Sequence, residues 1–504
     1  MRRGMLHLPT GWSTAGGGGP LPWLRGPLRG LVLSVLGLVA ALAFVVSAVG
    51  LADPYGGGRG RPKLPAVATD LAARDPRATP NARAVYRMLA GEENAARAGR
   101  ASRTVLGQHV EAQNERYNPE YGDAAKGDRR PGHYYRRAAE LSGGRLPGFV
   151  ETDLGPGYGD TGWGAGGGRW YDAAWPSCRD HWGYTDDATD LLMAVWKGYP
   201  RKPDGSYASG PAAADPTCPG APAAAPAADR SDFANGGRPA GLVGMSFHEP
   251  YPGAPVKSYA TTHCTDSPAR TDPSWMGRVV DWRGNTPEYR ALLTDLRYLA
   301  DHLQYYAAYD VPVLLRPYHE MNQPGCHAFW WSSATPAQYR ELWTIMYDYL
   351  VGTRGLHNLI FVWSPIAWGS GHAVDPRPYY PGSRYVDLVA VDDYLETPGR
   401  PLDGAPYTSV QYDALGRYRK PRMLAESFHL PVTSAVAALD RSPWVLWSVW
   451  GQALSEDNSP AEVRDSYRDP AVLTGGEGAA WPEALHRDSP ARTAVDPPGS
   501  GAGH

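Results

Sequence analysis

Short apolar runs alternate with longer stretches of helical periodicity between residues 104 and 474. Eight runs have the length of a strand, and they cover residues 104–108, 146–152, 241–247, 312–317, 359–363, 388–391, 422–425 and 445–449. This alternation is typical of β/α units built around a parallel sheet. Eight units are the number that closes a barrel, so the pattern predicts an α/β protein with the (β/α)8 TIM-barrel fold.

Two of the longer stretches predict helices of the outer ring. Residues 287–309 carry leucines at helical spacing, namely Leu292, Leu293, Leu296, Leu299 and Leu303. Residues 336–350 repeat the pattern with Leu342, Ile345, Met346 and Tyr349. Such a stripe is the face that a helix packs on a sheet. The Gly-rich residues 155–168 and the Ala/Pro-rich residues 211–228 predict long βα loops between strands.

An uncharged apolar stretch precedes the barrel region at residues 31–52. Arg2, Arg3, Arg25 and Arg29 stand before it and no Lys or Arg follows directly, which directs the rest of the chain outward. Its length suits a membrane anchor, and the small residues 50–52 suit signal-peptide cleavage, so both interpretations stay open. Either one predicts an extracytoplasmic protein, secreted or anchored, that contacts a membrane only through this segment.

The chain is predicted to have five parts. Residues 1–30 are a basic, Gly/Pro-rich cytoplasmic region, and residues 31–52 are the signal or anchor. Residues 53–103 are a linker with a leading helix, residues 104–474 are the catalytic barrel, and residues 475–504 are a tail without a fold. We expect this protein to be a monomer.

Charge and aromatic content favour a neutral partner. The formal charge is -3, from 49 basic and 52 acidic residues, which gives no field to attract nucleic acid. The chain has 18 Trp and 30 Tyr but 7 Phe, so most rings carry an N–H or O–H beside their apolar face. Such rings suit a polysaccharide, although a Tyr-rich surface fold explains the composition equally well.

Four cysteines follow the apolar stretch, and none forms a CxxC pair. An even number outside the cytoplasm favours two disulfides among three possible connectivities. We expect Cys178 to pair with Cys218 and Cys264 with Cys326. Neither a zinc site nor a redox motif is indicated.

Two glutamates stand where predicted strands end. The fourth strand runs into Arg316-Pro317-Tyr318-His319-Glu320-Met321-Asn322, and the seventh ends at Glu426. Barrel enzymes keep their reactive groups at these ends. Two carboxyls about 5 to 5.5 Å apart hydrolyse a glycosidic bond with retention. Arg316, His319 and Tyr394 are expected to supply the cationic and hydrogen-bonding partners that separate the two pKa values.

Three other functional motifs resemble parts of the sequence but do not match it fully. His319-Glu320 begins like the zinc-binding HExxH, but its fifth position is Gln323, so the second ligand is missing. Residues 244–248 lack the closing glycine of a nucleophile elbow. The Gly-rich loop lacks the context of a phosphate-binding loop. We therefore predict no metal and no cofactor.

The motifs resemble glycoside hydrolase family 26, whose best-known members are β-mannanases. The resemblance covers nearly the whole barrel region, and its motifs are residues 107–109, 140–143, 316–322, 329–331, 358–365, 386–389, 392–394 and 469–470. It implies that Glu320 is the acid/base, that Glu426 is the nucleophile and that Tyr394 is the hydrogen-bond partner of Glu426. The further substrate-binding residues that we expect are His248, Arg316, His319, Asn322, Trp331 and Trp450.

Three departures from the family pattern leave the substrate open. Phe247 stands where Trp is more common, Gln323 where Gly follows the Asn, and Ser427 where Gly follows the second glutamate. We expect a retaining endo-β-glycanase acting on β-1,4-mannan or a related hemicellulose, with β-1,3-xylan and mixed-linkage β-glucan as alternatives. An anchored, non-catalytic glycan-binding protein is the alternative from another class. For Glu320 alone, the alternative role is a structural carboxylate paired with Arg316.

Overall fold

The computed structural model describes residues 69–110, 133–156, 191–193, 195–196, 240–368, 372–394, 409–431 and 442–475. The predicted signal or anchor, the Cys178–Cys218 pair, residues 211–228, nearly all of the Gly-rich loop and the tail beyond residue 475 lie outside these ranges. Within them, no helix is both long and apolar enough to cross a membrane.

The strands form a closed parallel barrel, as predicted. They are β1 (Thr104–His109), β2 (Phe149–Leu154), β3 (Leu242–Phe247), β4 (Val313–Pro317), β5 (Leu359–Trp363), β6 (Leu388–Asp392), β7 (Arg422–Glu426) and β8 (Leu446–Val449), followed by the short β9 (Val472–Leu473). Each of the first eight pairs with its neighbour in sequence, and β1 pairs with both β2 and β8, which closes the ring. Each predicted strand end lies within three residues of the observed end.

Helices surround the barrel. Among the described residues they are α1 (Pro80–Arg97), α2 (His133–Ser142), α3 (Trp275–Val279), α4 (Pro287–Ala308), α5 (Pro336–Tyr347), α6 (Ser409–Leu415), α7 (Ala453–Glu456) and α8 (Pro460–Arg468). The two helices predicted from leucine and mixed apolar spacing are α4 and α5. The second continues into a π-helical turn, Asp348–Thr353, instead of remaining α-helical to residue 350.

Four helices begin with the same local signal. A Ser or Thr accepts a hydrogen bond from the third helical N–H, and proline follows it directly, at Thr79, Thr286, Thr335 and Ser459. The side-chain oxygen satisfies an N–H that has no partner within the helix, and proline loses nothing at a position where its missing N–H is not needed. At Thr335 and Ser459 a Gln or Glu completes a capping box.

The barrel interior is filled around Phe149. Alternate residues of β2 share one face, so Phe149, Glu151 and Asp153 point to the same side, in order toward the carboxyl end. The Phe149 ring fits because glycines flank it on the neighbouring strands. A Cβ on Gly107 would lie 2.8 Å from this ring, and one on Gly244 would overlap it. The apolar layer below thus supports two carboxylates above.

The leading helix α1 is fixed to the barrel by a buried ion pair. Glu93 is fully buried, and its Oε1 lies 2.7 Å from Nη2 of Arg422 on β7. Arg97 of the same helix donates from Nε to that oxygen at 2.7 Å. Before the helix, Asp75 lies 2.6 Å from Nδ1 of His357, which precedes β5. Residues 75–97 therefore pack on the barrel.

A second buried cluster lies behind β3 and β4. Glu249, Asp295 of α4 and Tyr318 are at most 1% exposed, and Lys257 Nζ lies 3.5 Å from Asp295 Oδ1. Burial, and next the charge of Asp295, raise the pKa of Glu249 well above its usual value. Both effects favour the protonated form of the Glu249 carboxyl in the folded protein.

We expect Glu249→Gln to stabilise the protein increasingly as pH rises from about 4.3, the usual pKa of an unfolded glutamate. A folded-state pKa above that value means that the folded state binds more protons, so the free energy of unfolding falls with rising pH. Glutamine keeps the shape of the protonated acid without that dependence. Urea unfolding between pH 4 and pH 8 measures the difference between variant and wild type.

The matched control is Glu288→Gln. A hydrogen bond from Arg278 lowers the pKa of Glu288, so this carboxylate stabilises the fold above the unfolded pKa, and its replacement loses stability there. The Glu249 prediction is wrong if both variants change in the same direction with pH.

Candidate active site

Arg316 connects the acidic residues of the site at the carboxyl ends of the strands. It is fully buried on β4, and its Nε donates to Glu151 Oε1 at 2.8 Å. Its Nη1 donates to Asp392 Oδ2 at 2.9 Å, and its Nη2 donates to Glu426 Oε1. One guanidinium thus joins carboxylates from β2, β6 and β7. A planar group with N–H bonds in several directions can do this, whereas a lysine cannot.

Glu426 is held as an ionised carboxylate. Its Oε1 accepts from Arg316, and its Oε2 accepts from the Tyr394 hydroxyl. Two donors to one carboxylate favour the charged form and fix its orientation. Glu426 is 4% exposed at the end of β7, so it keeps a small opening to the cleft.

Glu320 lies in a contrasting environment. Burial, and next the negative charge of Glu426, raise its pKa to about 8. Arg316 acts in the opposite direction, and Gln323 donates from Nε2 to Glu320 Oε2 at 3.1 Å. The guanidinium makes its hydrogen bonds to other carboxylates, so the structural Arg316–Glu320 pair does not form. Glu320 is therefore protonated at neutral pH while Glu426 is charged.

The backbone around Glu320 is strained. Tyr318 and Glu320 both have left-handed φ values, 49° and 55°. Each such residue costs about 1–3 kcal/mol and persists where the surroundings require it. The Glu320 N–H donates to the Ser364 carbonyl at 2.8 Å, and the Tyr318 carbonyl accepts from Tyr339 at 3.0 Å. These bonds fix the turn that presents the Glu320 carboxyl.

Two histidines lie beside the carboxylates. His248 and His319 are each 3% exposed, their rings stack with centroids 5.1 Å apart, and their Nε2 atoms are 3.3 Å apart. Burial lowers the pKa of both, so both are neutral. Of the three expected partners of the glutamates, His319 can therefore act by hydrogen bonding, while the Arg316 guanidinium is cationic.

Trp450 and Tyr394 keep partly exposed surfaces at the site. The Trp450 ring stacks on His109 with centroids 4.1 Å apart, and the Tyr394 ring contacts Phe428 at 4.6 Å. Both rings are thus supported from behind. Such supported rings suit the C–H face of a sugar.

Three residues expected to bind substrate are instead enclosed in the protein. Arg316 is fully buried among carboxylates. Asn322 uses its Nδ2 on the carbonyls of Ile366 and Val374, and its Oδ1 accepts from the Ile366 N–H. Trp331 is 0% exposed and donates to the His319 carbonyl at 2.7 Å. All three use their polar atoms on neighbouring protein groups and leave no exposed surface for a ligand.

A disulfide supports the same turn. Cys264 and Cys326 are bonded, as predicted, and join the loop after β3 to the loop after β4. Next to it, His263 and Phe329 form an antiparallel bridge. Phe329 packs on Trp331 with ring centroids 4.5 Å apart. The loop that carries these rings is therefore held against the catalytic motif.

Sequence reasoning missed four residues of the site. Glu151 and Asp153 of β2, His109 of β1 and Asp392 of β6 were not among the predicted site residues, yet all four are at most 1% exposed beside it. The available signal was a pair of carboxylates two residues apart in a strand that has to be buried. The predicted second strand ends at residue 152, which left Asp153 in a loop.

Among the described residues, one cluster has the composition of a metal site. His319, Asp392 and Glu426 offer ligand atoms that all lie within 4.8 Å of one another. Arg316 already donates to both carboxylates of that set. Its fixed positive charge opposes a cation there, so these residues do not fit a metal centre.

We expect Arg316→Met to unfold the protein at neutral pH or to destabilise it by at least about 3–5 kcal/mol, because three buried carboxylates lose their common cation. Circular dichroism during urea unfolding measures the loss. Arg278→Met is the matched control, since its partners Asp272 and Glu288 are accessible to water and the free energy should change little. Equal stability of the two variants would contradict the prediction.

Residues 223–427 match the family model described as glycosyl hydrolase family 26. A mannan endo-1,4-beta-mannosidase of Thermothelomyces thermophilus is 31% identical over 199 residues, which cover 38% of this chain and 37% of that protein. A protein of the same name from Bacillus subtilis is 35% identical over 139 residues, covering 26% and 34%. The chain thus spans little more than a third of the length of these curated relatives.

Solved structures share the fold. GH26A from Muricauda sp. MAR_2010_75 has a TM-score of 0.54 at 21% identity, over 79% of this chain and 98% of that one. The Podospora anserina GH26-CBM35 beta-(1,4)-mannanase has a TM-score of 0.51 at 21% identity, over 81% and 68%. These likenesses confirm the barrel.

Fold and site together define a (β/α)8 barrel in which strands four and seven each end near a glutamate. Within that class, residues 223–427, which include Glu320 and Glu426, match the model of glycosyl hydrolase family 26. The resemblance predicted from the motifs is confirmed.

Proposed function

We propose that this protein is a retaining endo-β-glycanase that hydrolyses β-1,4-mannan or a related hemicellulose by double displacement. The observation that carries the proposal is the unequal state of the two glutamates. Glu426 is charged between Arg316 and Tyr394, while burial and the charge of Glu426 raise the pKa of Glu320 to about 8. One acid and one nucleophile are thus ready in the same cleft.

In the first step the Glu426 carboxylate attacks the anomeric carbon and forms the new C–O bond. The glycosidic C–O bond breaks at the same time, and the leaving oxygen takes the proton of Glu320. In the second step the ionised Glu320 removes a proton from water, whose oxygen displaces Glu426 from the anomeric carbon. Two inversions leave the configuration unchanged, and both carboxyls return to their starting states.

The substrate assignment rests on the relatives and on the lining of the cleft. Relatives named mannan endo-1,4-beta-mannosidase match part of this chain, and the family model covers the segment that carries both glutamates. Of the expected sugar contacts, His248, His319, Tyr394 and Trp450 remain at the site, and we propose these four as the substrate-binding set. His319 offers a ring nitrogen to a hydroxyl group, His248 lies against it, and the last two offer ring faces.

We further propose that the enzyme works outside the cytoplasm as a monomer. The apolar residues 31–52 and the arginines before them support export, with secretion and anchoring as the two forms. The Cys264–Cys326 disulfide suits an oxidising compartment. The linker and tail limits predicted at residues 53–103 and 475–504 remain part of this proposal.

The test is release of reducing ends from galactomannan, glucomannan, mixed-linkage β-glucan and β-1,3-xylan by the full-length protein, with Glu426→Gln as the inactive control. We expect release from the two mannans, with a β-anomer as the first product in proton NMR spectra. Release from β-glucan or xylan alone would overturn the substrate and keep the mechanism. Binding without release from any glycan would establish the non-catalytic alternative.

A further inference from the structure

Four buried side chains form a continuous row across the first four strands beside the catalytic carboxylates. His109 Nε2 of β1 lies 3.2 Å from Asp153 Oδ1 of β2. Asp153 Oδ2 lies 3.7 Å from His248 Nδ1, just after β3. His248 Nε2 lies 3.3 Å from His319 Nε2, just after β4. The row thus leads from the ring beneath Trp450 to the residue next to Glu320.

The four side chains of the row differ in charge. Burial raises the pKa of Asp153, but His109 and the hydrogen bond from Ser246 outweigh it and hold the pKa well below its usual value, so Asp153 is ionised. Burial lowers the pKa of His109, but the charge of Asp153 outweighs it and the net shift is upward. The charge of Asp153 therefore favours the protonated form of His109, whose ring stacks on Trp450 with centroids 4.1 Å apart. His248 and His319 are neutral.

Two neutral imidazoles that meet Nε2 to Nε2 share one proton, since one nitrogen has to donate and the other to accept. The Asp153 carboxylate decides which one. At 3.7 Å it is too far from His248 Nδ1 for a good hydrogen bond, but its negative charge repels a lone pair there and attracts an N–H. His248 therefore carries its proton on Nδ1 and accepts at Nε2.

The protonation of His248 determines which nitrogen of His319 carries a proton. Its Nε2 has to carry the proton that His248 accepts, so its Nδ1 keeps a lone pair. That Nδ1 is buried and has no hydrogen-bond partner among the residues that the structure describes. A buried acceptor without a partner is costly unless a ligand supplies one.

We propose that Asp153 is a positioning residue that sets the polarity of His319, so that His319 Nδ1 accepts a hydrogen bond from a hydroxyl group of the bound sugar. The identity of the donor as a glycan hydroxyl rests on the proposed function. The proton arrangement itself rests only on the row of four side chains.

The direct test is the tautomer of each ring, read from long-range proton–nitrogen NMR spectra of the full-length protein with 15N-labelled histidine. In the wild type we expect His248 protonated on Nδ1, His319 on Nε2 and His109 on both nitrogens. The opposite assignment of His248 and His319 would overturn the proposal, even if no variant folded. Asp153→Asn removes the charge, so His109 should become neutral and His248 should shift toward the Nε2–H form.

The kinetic test separates this role from general support of the fold. With mannan as substrate, Asp153→Asn should lower kcat/KM by about three- to tenfold, the value of one hydrogen bond, mainly through KM. The basic limb of the pH profile, which belongs to Glu320, should not move. Ser246→Ala is the matched control, because Ser246 also donates to Asp153 Oδ1 but leaves its charge in place.

The outcomes are distinguishable from failure of the proposed function. A protein that hydrolyses no glycan overturns the proposed function, while the NMR spectra still decide the tautomers. Unchanged tautomers of His248 and His319 in Asp153→Asn overturn the positioning role of Asp153, whatever the activity. So does a control variant that alters them as much as Asp153→Asn does.

Discussion

Glu426→Gln should lower kcat on the polysaccharide by at least about ten-thousandfold, because without this carboxylate no covalent glycosyl-enzyme can form. The amide keeps the shape of the side chain: its oxygen can still accept from Arg316, and its NH2 group can donate to the Tyr394 hydroxyl, which donates to the second carboxylate oxygen now. Fold and glycan affinity should therefore stay close to those of the wild type. Initial rates, together with binding measured by calorimetry, test this separation of turnover from affinity.

The same variant should also change Glu320. The charge of Glu426 is the second cause, after burial, of the raised pKa of Glu320, so its removal should lower that pKa below about 8. Carbon-13 NMR titration of the Glu320 carboxyl measures the shift. Glu462→Gln, on the exposed start of α8, is the matched control and should leave both turnover and the Glu320 titration unchanged. A Glu426→Gln variant that retains a tenth of the wild-type rate would remove Glu426 from the mechanism.

Local patterns in the sequence were sufficient to predict the strands of the barrel and two of its helices. The eight strands are runs that must be buried on both faces, so their apolar residues are continuous and visible in the sequence. Helices α4 and α5 follow a Thr-Pro pair and carry regular apolar spacing. The π-helical turn at Asp348–Thr353 has no such signal, because it depends on how the end of α5 meets the following loop.

Roles within the site were harder to assign, because a motif does not show where its polar atoms point. Asn322 and Trp331 belong to the motif, yet their donors and acceptors are used on backbone groups. Arg316 was expected to contact the sugar but is fully buried among three carboxylates. Asp153 joins the site only because β2 continues to Leu154, beyond the predicted end of that strand.

Glu320→Ala should show a loss that depends on the leaving group. On mannan we expect kcat/KM to fall by about a hundred- to ten-thousandfold, because the departing sugar oxygen needs a proton. On an aryl mannoside whose phenol leaves without protonation, the first step should proceed and the glycosyl-enzyme should accumulate as a burst of phenol. Azide should then speed turnover and give a β-glycosyl azide, since it attacks without help from a base.

The pH profile adds an independent readout of the same carboxyl. Glu320 must be protonated to donate, and its pKa is about 8, so kcat/KM of the wild type should fall as pH rises through that value. The variant should lack this basic limb. An equal loss on both substrates, or a basic limb that persists in the variant, would show that Glu320 is not the acid.

Whereas Glu320→Ala should lower activity, Glu320→Gln should raise the free energy of unfolding relative to the wild type as pH rises. Between about 4.3, the usual pKa of an unfolded glutamate, and about 8, the folded protein holds a proton that the unfolded chain has lost. The free energy of unfolding of the wild type therefore falls as pH rises across that range, while that of the variant lacks this contribution. Urea unfolding at pH 5 and pH 8 should show the variant gaining on the wild type, because an acid held with a raised pKa for activity costs stability in the free enzyme. A variant whose free energy of unfolding drops relative to the wild type between pH 5 and pH 8 would mean that the Glu320 carboxyl is already ionised in the folded protein. The assignment of Glu320 as the acid would then be wrong.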